Sequence, residues 1–215
     1  MKYTPARPGF KLEILSPDRY DEVLDFLCDH FFPDEITYKN FNVKRNPEIE
    51  QYLKKICEDN MSFICFHERS GEITGAFLTH MLPRGYKMDL SLIIDESFRN
   101  KTEFELTGGD EISSYLFDGN DLNEAVEFNT LSVHRDFRNQ GIASWMQQAS
   151  LAFVNELGFK AAVVTCSRRE SKKVFEKQGF ECIYDRPYNE WIKDGKHVFT
   201  DTEGNQSETV YGKRF

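Results

Sequence analysis

The chain has 215 residues, enough for one domain with a substantial buried core and hardly enough for two. Hydrophobic residues make up 40% and charged residues 29% of it, a composition that excludes disorder throughout the chain. The formal charge of −9 argues against broad binding to nucleic acid or to anionic membranes, because their phosphate groups would repel the protein.

The sequence carries no sign of export, membrane insertion or metal binding. No apolar segment follows Met1, and no run reaches the roughly 18 apolar residues of a membrane span. The five cysteines form no CxxC pair, and the five histidines lack the spacing of metal ligands. We therefore expect a cytoplasmic monomer with reduced thiols, no metal, and no nucleic-acid or membrane partner.

The first part of the chain predicts a strand, two helices and a hairpin. Alternation over residues 10–15 predicts the strand, and Ser16-Pro17-Asp18 then starts a helix that ends at Pro33. Apolar residues at helical spacing predict a second helix over 47–58. Strands over 62–66 and 73–78, joined by a turn, predict an antiparallel hairpin.

The remainder predicts alternating strands and helices. Residues 84–123 are less regular, with a short apolar run at 90–94 and a helix near 110–117. The elements predicted after them are a strand over 125–134, a helix over 141–157, a strand over 160–165, a helix over 167–178, and short strands at 182–184, 197–200 and 209–211. Hairpins combined with crossovers predict a single α/β domain over residues 1–215, with a mixed central sheet flanked by helices.

The strongest local signal lies where the strand over 125–134 gives way to a helix. The connecting residues are Arg138-Asn139-Gln140-Gly141-Ile142-Ala143. Amides at a helix start lack intrahelical partners, and together with the helix dipole they can bind an anion. Gly141 and Ala143 lack bulk, so a diphosphate could approach the backbone closely. An ordinary helix start remains the alternative, since neither a P-loop nor a GxGxxG motif is present.

This segment resembles the acetyl-CoA motif of the GNAT acyltransferase superfamily, in which Arg-x-x-Gly-x-Ala follows a strand. Residues 163–180, a predicted strand and a helix ending in Gly179-Phe180, are similar to the next block of that superfamily. The two blocks have the expected order and separation, and together they are far more specific than either one.

Two further segments resemble insect-type arylalkylamine N-acetyltransferases. Phe31-Phe32-Pro33-Asp34-Glu35 is similar to the Phe-Phe-x-Asp-Glu segment of that group, and Cys166-Ser167 followed by Ser171 also matches it. The resemblance covers residues 10–35 and 127–185, and it is weak in the middle and C-terminal parts of the chain.

The resemblance implies the GNAT fold and transfer of an acetyl group from acetyl-CoA to a primary amine in a ternary complex. The residues that it assigns to acetyl-CoA are Leu131, Ser132, Val133, Arg138, Asn139, Gln140, Gly141, Ile142, Ala143, Ser144, Ser171, Lys172 and Phe175. The backbone of the first three would hold the pantetheine arm.

N-acetylation needs a general base, because an alkylamine with a pKa near that of lysine, about 10, is mostly protonated at pH 7. Glu35 is the predicted base: apolar neighbours such as Phe31 and Phe32 would raise its pKa, and the matching Glu has this role in the resembling group. Asp34 is the alternative base. The alternative without a catalytic role is that Glu35 is an ordinary surface carboxylate after a helix.

The leaving thiolate needs a proton or a hydrogen bond. Many GNAT enzymes use a Tyr where this chain has Phe175, which leaves Ser167 and Ser171 as the predicted donors, and the resemblance implicates both in catalysis. Ser167 would also suit a helix N-cap. Cys166 fits a buried strand-end thiol better than a thioester nucleophile, and His134 is an alternative proton relay.

The charge is unevenly distributed along the chain. Residues 165–178 carry five basic side chains against two acidic ones, which suits the phosphates of CoA. Residues 16–35 carry seven acids against one arginine, and residues 102–130 carry eight acids with no Lys or Arg. These acids predict a mouth that concentrates a cationic amine, although solubility alone would explain most of them.

Three functions stay open at this stage. The first is N-acetylation of an arylalkylamine such as dopamine, tyramine, octopamine, serotonin or tryptamine. The second is a GNAT enzyme for a polyamine, agmatine, histamine or a lysine. The third is a CoA-binding module without turnover, against which the presence of Arg138, Gly141 and Glu35 argues.

Overall fold

The computed structural model describes residues 5–119 and 121–215. Its helices and strands, in chain order, are β1 (Phe10–Ile14), α1 (Tyr20–His30), α2 (Ile36–Asn40), α3 (Pro47–Cys57), β2 (Phe63–His67), β3 (Ile73–Pro83), α4 (Glu96–Glu105), α5 (Gly109–Phe117), β4 (Glu124–Val133), α6 (Ile142–Glu156), β5 (Ala161–Cys166), α7 (Arg169–Glu176), β6 (Glu181–Pro187), β7 (Ile192–Lys193), β8 (Lys196–His197) and β9 (Ser207–Arg214). No helix in these ranges combines the length and the apolar character needed to cross a bilayer.

Seven strands form one mixed sheet in the order β1-β2-β3-β4-β5-β9-β6. Each neighbouring pair is antiparallel except β4 and β5, which are parallel and are connected by α6. The predicted mixed α/β architecture is confirmed.

The helices cover both faces of the sheet, and strand alternation divides the core between them. In β2, Ile64 packs in a cluster with Leu27 of α1 and Leu53 of α3. Its neighbour Phe63 packs in a second cluster with Met146 of α6. A third cluster joins α5 to the ends of β4, β5 and β9. The two faces therefore have independent apolar cores.

The sheet opens in its middle. β4 pairs with β5 only from Val126 to Phe128, whereas it stays paired with β3 as far as Val133. Beyond Phe128, the β5-facing edge of β4 pairs with no strand of the described residues. A gap therefore separates the ends of two neighbouring parallel strands.

Several predicted boundaries are wrong, for physical reasons. The short helix α2 and the polar helix α4 were not predicted, because α2 has five residues and α4 buries few apolar side chains. The last helix begins at Arg169 and excludes Ser167. The strand expected over 197–200 is reduced to β8, which pairs with β7 in a small separate hairpin.

Replacing Leu27 with Ala tests the core between α1 and the sheet. Leu27 is fully buried, so Leu27→Ala should lower the free energy of unfolding by about 2–5 kcal/mol through lost burial and a residual cavity. Urea denaturation monitored by circular dichroism measures this change.

Leu92→Ala is the matched control, because Leu92 is 74% exposed; it should change the free energy of unfolding by less than about 0.5 kcal/mol. Equal losses for the two variants would contradict the described packing.

Candidate active site

A cavity of about 270 Å³ lies at the gap between β4 and β5. Residues 128–131 of β4 line one side of it, and residues 163–167 line the other. Helices α4 and α5, the segment containing Glu35, and residues of α3, β3, β6 and β9 also line it. The strand divergence thus creates a cavity into which groups from both halves of the chain project.

Glu35 lines this cavity at the start of α2. Its Oε1 accepts hydrogen bonds from the Thr37 amide at 3.3 Å and the Thr37 hydroxyl at 3.2 Å, which caps the helix. Its Oε2 accepts a bond from Ser167 Oγ at 2.8 Å. Burial raises the pKa of Glu35, and the bonds from Ser167 and Thr37 oppose this shift without cancelling it. The predicted base is therefore a carboxylate with enhanced basicity.

Ser167 occupies the turn between β5 and α7. Its hydroxyl does not cap α7, since Arg168 is the N-cap residue there; it is directed to Glu35 instead. The Ser167 carbonyl accepts a bond from the Tyr188 hydroxyl at 3.1 Å, which fixes the turn from the other side.

Ser171 also lines the cavity, but its hydroxyl donates to the Arg168 carbonyl at 2.8 Å within the first turn of α7. Ser167 precedes α7, so Ser167 and Ser171 do not share a face of that helix. Cys166 is buried, and burial raises the pKa of its thiol to about 12. A thiol with so high a pKa is a poor nucleophile at neutral pH.

Asp34 has a different environment from its neighbour Glu35. Its Oδ2 lies 2.6 Å from the Arg138 guanidinium, and Arg135 lies 3.5 Å from Oδ1. Partial burial would raise the pKa of Asp34, but the hydrogen bond and the charge of Arg138 outweigh it and hold the pKa below its usual range. A carboxylate so stabilised in its charged form is a weak base.

The loop before α6 has the form expected of an anion site. Asn139 and Gly141 have φ angles of 59° and 78°, which turn the chain sharply into the helix. The first intrahelical bond runs from the Trp145 amide to the Gly141 carbonyl, so the amides of residues 142–144 have no acceptor within α6. A diphosphate fits this helix start.

The residues flanking this loop have mainly structural partners. Arg138 donates to the Val133 carbonyl at 3.0 Å and the His30 carbonyl at 3.1 Å, besides pairing with Asp34. Gln140 bonds the Asp136 carbonyl at 3.4 Å, and the Ile142 side chain belongs to the core. Arg138 thus holds the loop against the end of α1. Ala143 and Ser144 are half-buried in the first turn of α6.

The unpaired edge of β4 begins at Asn129 and includes Leu131, Ser132 and Val133. An extended amide chain can hydrogen-bond to such an edge as an added strand does. The pantetheine arm of CoA is an amide chain of this kind. The strand edge and the amides at the start of α6 together fit acetyl-CoA.

Two of the five basic side chains predicted for the CoA phosphates are occupied by protein contacts, whereas Arg169 is exposed. Lys172 Nζ donates to the Ser207 carbonyl at 2.8 Å, and Arg168 pairs with Glu203 at 2.8 Å. Phe175 is buried against Phe180, with ring centroids 5.2 Å apart. Lys173 and Lys177 remain exposed and can still contribute positive charge.

Three ion pairs within the described residues line the cavity, and the sequence did not reveal them. They are His80–Glu127 at 3.0 Å, Lys101–Glu105 at 2.6 Å and Arg186–Glu208 at 2.9 Å.

The Lys101–Glu105 pair keeps its charges, and the surroundings of His80 favour its charged form. Burial works to lower the pKa of Lys101 and of His80, but the paired carboxylates outweigh it and raise both. Burial raises the pKa of Glu208 against the opposing charge of Arg186. One signal could have located Glu127: it is an acidic residue between two apolar ones, Val126 and Phe128, in the predicted strand over 125–134.

The acidic segments of the sequence mostly form solvated surface. Asp21 and Asp25 of α1 have side chains 82% and 66% exposed and pair with basic residues there. Of the acids in residues 16–35 and 102–130, those that line the cavity are Glu35, Glu105 and Glu127. His134 is not a cavity residue; its ring stacks on His30 with centroids 4.0 Å apart.

Comparison with known proteins gives a family match in the second half of the chain. Residues 107–196 match an acetyltransferase (GNAT) domain. This range contains β4, the loop before α6, and the segment with Ser167 and Ser171.

Solved structures match almost the whole chain. Arylalkylamine N-acetyltransferase 2 from Aedes aegypti has 25% identity and a TM-score of 0.86, with 96% of this chain and 99% of that one covered. A mosquito arylalkylamine N-acetyltransferase like 5b has 16% identity and a TM-score of 0.85, with 96% and 100% covered. Polyamine N-acetyltransferase of Drosophila melanogaster, which forms N-acetylagmatine, has 13% identity and a TM-score of 0.77, with 96% and 100% covered.

Thiol labelling tests the environment of Cys166. Iodoacetamide at pH 8 should modify the exposed Cys182 at least ~10-fold faster than Cys166, which is 1% exposed and whose pKa is raised to about 12. Peptide mass mapping over a time course measures both rates, and full labelling after denaturation is the control. Comparable native rates would restore a thioester role for Cys166.

Proposed function

Because the chain has a GNAT acetyltransferase domain, we propose that it transfers the acetyl group of acetyl-CoA to the primary amine of an arylalkylamine. The observation that carries this proposal is the pairing of charges in the cavity. Among the described cavity residues, Glu35 is the carboxylate whose hydrogen-bond partners are neutral, whereas Glu105, Glu127 and Glu208 each contact a cation.

This pattern suits an acceptor with one ammonium group. A carboxylate without a cationic partner attracts an ammonium, and Glu35 supplies one such group. A second cation would meet the ammonium of Lys101 or the guanidinium of Arg186 without a free carboxylate to offset them. The remainder of a single-charge acceptor can be apolar and aromatic, since the lining rings include Phe31, Tyr38, Tyr52, Tyr86 and Phe117.

In the proposed mechanism, both substrates bind together and Glu35 accepts a proton from the ammonium group. The free amine then attacks the thioester carbonyl that acetyl-CoA supplies and forms the carbon–nitrogen bond. The carbon–sulfur bond breaks, and the second proton lost by the amine nitrogen is taken up by the leaving thiolate, so the products are the amide and the CoA thiol. Glu35 is suited to the first step because its burial raises its pKa. Ser167 orients Glu35 through the 2.8 Å bond. Ser171 also lines the cavity, and its hydroxyl would have to turn from the Arg168 carbonyl to donate to the leaving thiolate.

An amine panel tests the acceptor class. We expect kcat/KM for tyramine and tryptamine to exceed the values for spermidine and agmatine by at least ~10-fold. The dication agmatine and the trication spermidine each leave at least one charge unpaired in a cavity that already holds Lys101 and Arg186. Thiol release from acetyl-CoA measures each rate at saturating cosubstrate. Higher efficiency with agmatine or spermidine would assign the cavity to an aliphatic amine, and no release with any amine would leave a CoA-binding module.

Glu35→Gln tests the base. We expect kcat/KM at pH 7 to fall by about 10²- to 10⁴-fold, since general-base assistance is lost while the shape of the side chain is kept. The deficit should shrink as the pH approaches the amine pKa of about 10, where free amine is abundant. Initial rates from pH 6 to 10 measure both effects.

Asp34→Asn is the matched control for this experiment. Asp34 has a lowered pKa and lies against Arg138, so its replacement should leave the acidic limb of the pH–rate profile in place. A Glu35→Gln enzyme that keeps the normal acidic limb would remove Glu35 from the base role.

A further inference from the structure

Arg168 connects the two sides of the candidate active site. Its Nε donates to the Asp34 carbonyl at 2.8 Å, and Nη2 bonds the same oxygen. The edge of the guanidinium formed by Nη1 and Nη2 pairs with Glu203, with Nη1 2.8 Å from Oε2 and Nη2 3.1 Å from Oε1. One planar group therefore bridges a backbone carbonyl and a carboxylate.

These contacts lie next to the reacting groups in sequence. Ser167 precedes Arg168, and Glu35 follows Asp34, so two adjacent residues of one segment bond two adjacent residues of the other. A single hydrogen bond between Ser167 and Glu35 would leave the segments free to pivot. The second attachment, through Arg168, removes that freedom.

Glu203 is itself held in place from the side of α2. Lys39 of that helix lies 2.6 Å from Glu203 Oε1 and 3.0 Å from Asp201. Asn40 donates to the Asp201 carbonyl at 2.8 Å and accepts from the Thr200 amide at 2.9 Å. The hydrogen bonds of Arg168 and Lys39 lower the pKa of Glu203 to about 2, so this carboxylate stays charged at neutral pH.

We propose that Arg168 and Glu203 are positioning residues that fix the Ser167–Glu35 hydrogen bond in its working geometry. The loop 198–206 acts as a strap that joins α2, which Glu35 caps, to the turn that carries Ser167. Neither Arg168 nor Glu203 lines the cavity, so both act through their neighbours. This inference rests on the proposed role of Glu35 as the base.

Arg168→Gln tests the proposal. We expect kcat to fall by about 10- to 100-fold, as for an active-site group displaced by about 1 Å, with the KM for acetyl-CoA within about twofold of the original. The kcat of Arg168→Lys should lie between those of the original enzyme and Arg168→Gln, because an ammonium can retain one of the two contacts but lacks the planar fork of the guanidinium. Steady-state kinetics with both substrates varied measures these effects.

Arg45→Gln is the matched control. Arg45, like Arg168, bridges two acceptors, here the carboxylates of Asp25 and Glu50, each at 2.5 Å, and it lies outside the cavity lining. Its loss should leave kcat unchanged. Melting temperatures of the two variants separate an effect on stability from an effect on turnover.

The pH dependence of kcat/KM distinguishes a positioning role from a purely structural one, because loss of stability alone would not shift its acidic limb. The Ser167 hydrogen bond lowers the pKa of Glu35, so loosening it should shift the acidic limb of kcat/KM to higher pH. Arg168→Gln also removes a positive charge that interacts with Glu35, and this loss by itself raises the pKa of Glu35. Arg168→Lys and Glu203→Gln keep that charge, so they isolate the effect of the hydrogen bond. Burial, Thr37, Glu105 and Lys101 act on Glu35 equally in all three variants. Glu203→Gln should shift the acidic limb in the same direction. The double variant, Arg168→Gln with Glu203→Gln, should lose no more activity than Arg168→Gln alone.

Two outcomes separate this inference from the proposed function. Glu35→Gln with normal kcat and normal pH dependence would overturn the base role, and the positioning role with it. An impaired Glu35→Gln together with Arg168→Gln, Arg168→Lys and Glu203→Gln all within about twofold of the original kcat would overturn the positioning role alone. If Arg168→Gln does not fold, Arg168→Lys and Glu203→Gln decide the question.

Discussion

Parallel pairing between β4 and β5 stops at Phe128 and Val164, and the divergence beyond that point is the constraint on which the rest of the site depends. It leaves the edge of β4 without a strand partner and opens the cavity between the two strand ends. A continuous sheet would satisfy these backbone groups internally and leave no room for two substrates. The chain instead keeps polar backbone unpaired where an amide-containing ligand can bind it.

Charge inside this cavity is arranged in pairs, with one exception. A buried carboxylate normally needs a cation, because its desolvation is costly, and Glu105, Glu127 and Glu208 each have one. Glu35 has only hydroxyl and amide donors, so its charged form is less stabilised and its pKa is raised. The destabilisation of this group is the property that a base for an ammonium substrate requires.

Patterns that are local in sequence could be predicted, and those that depend on distant residues could not. The hairpin of β2 and β3 and the glycine turn before α6 depend on patterns of a few residues, and both were predicted correctly. The partners of Glu35, by contrast, include Ser167, which lies 132 residues away. Nothing in the isolated segment 167–178 indicates that Ser167 turns away from its own helix. The strap at 198–206 is a loop without periodicity, so no local pattern reveals it.

Asp34 and Glu35 show most clearly why composition alone could not assign the site. The two carboxylates are adjacent, and by sequence either could be the base. Arg138 bonds Asp34 and keeps its pKa low, while the cavity wall keeps the pKa of Glu35 high. The same dipeptide therefore provides an anchor for the loop that precedes α6 and a basic group for the cavity. Because the peptide bond links the two, the position of the anchor also limits where the basic group can lie.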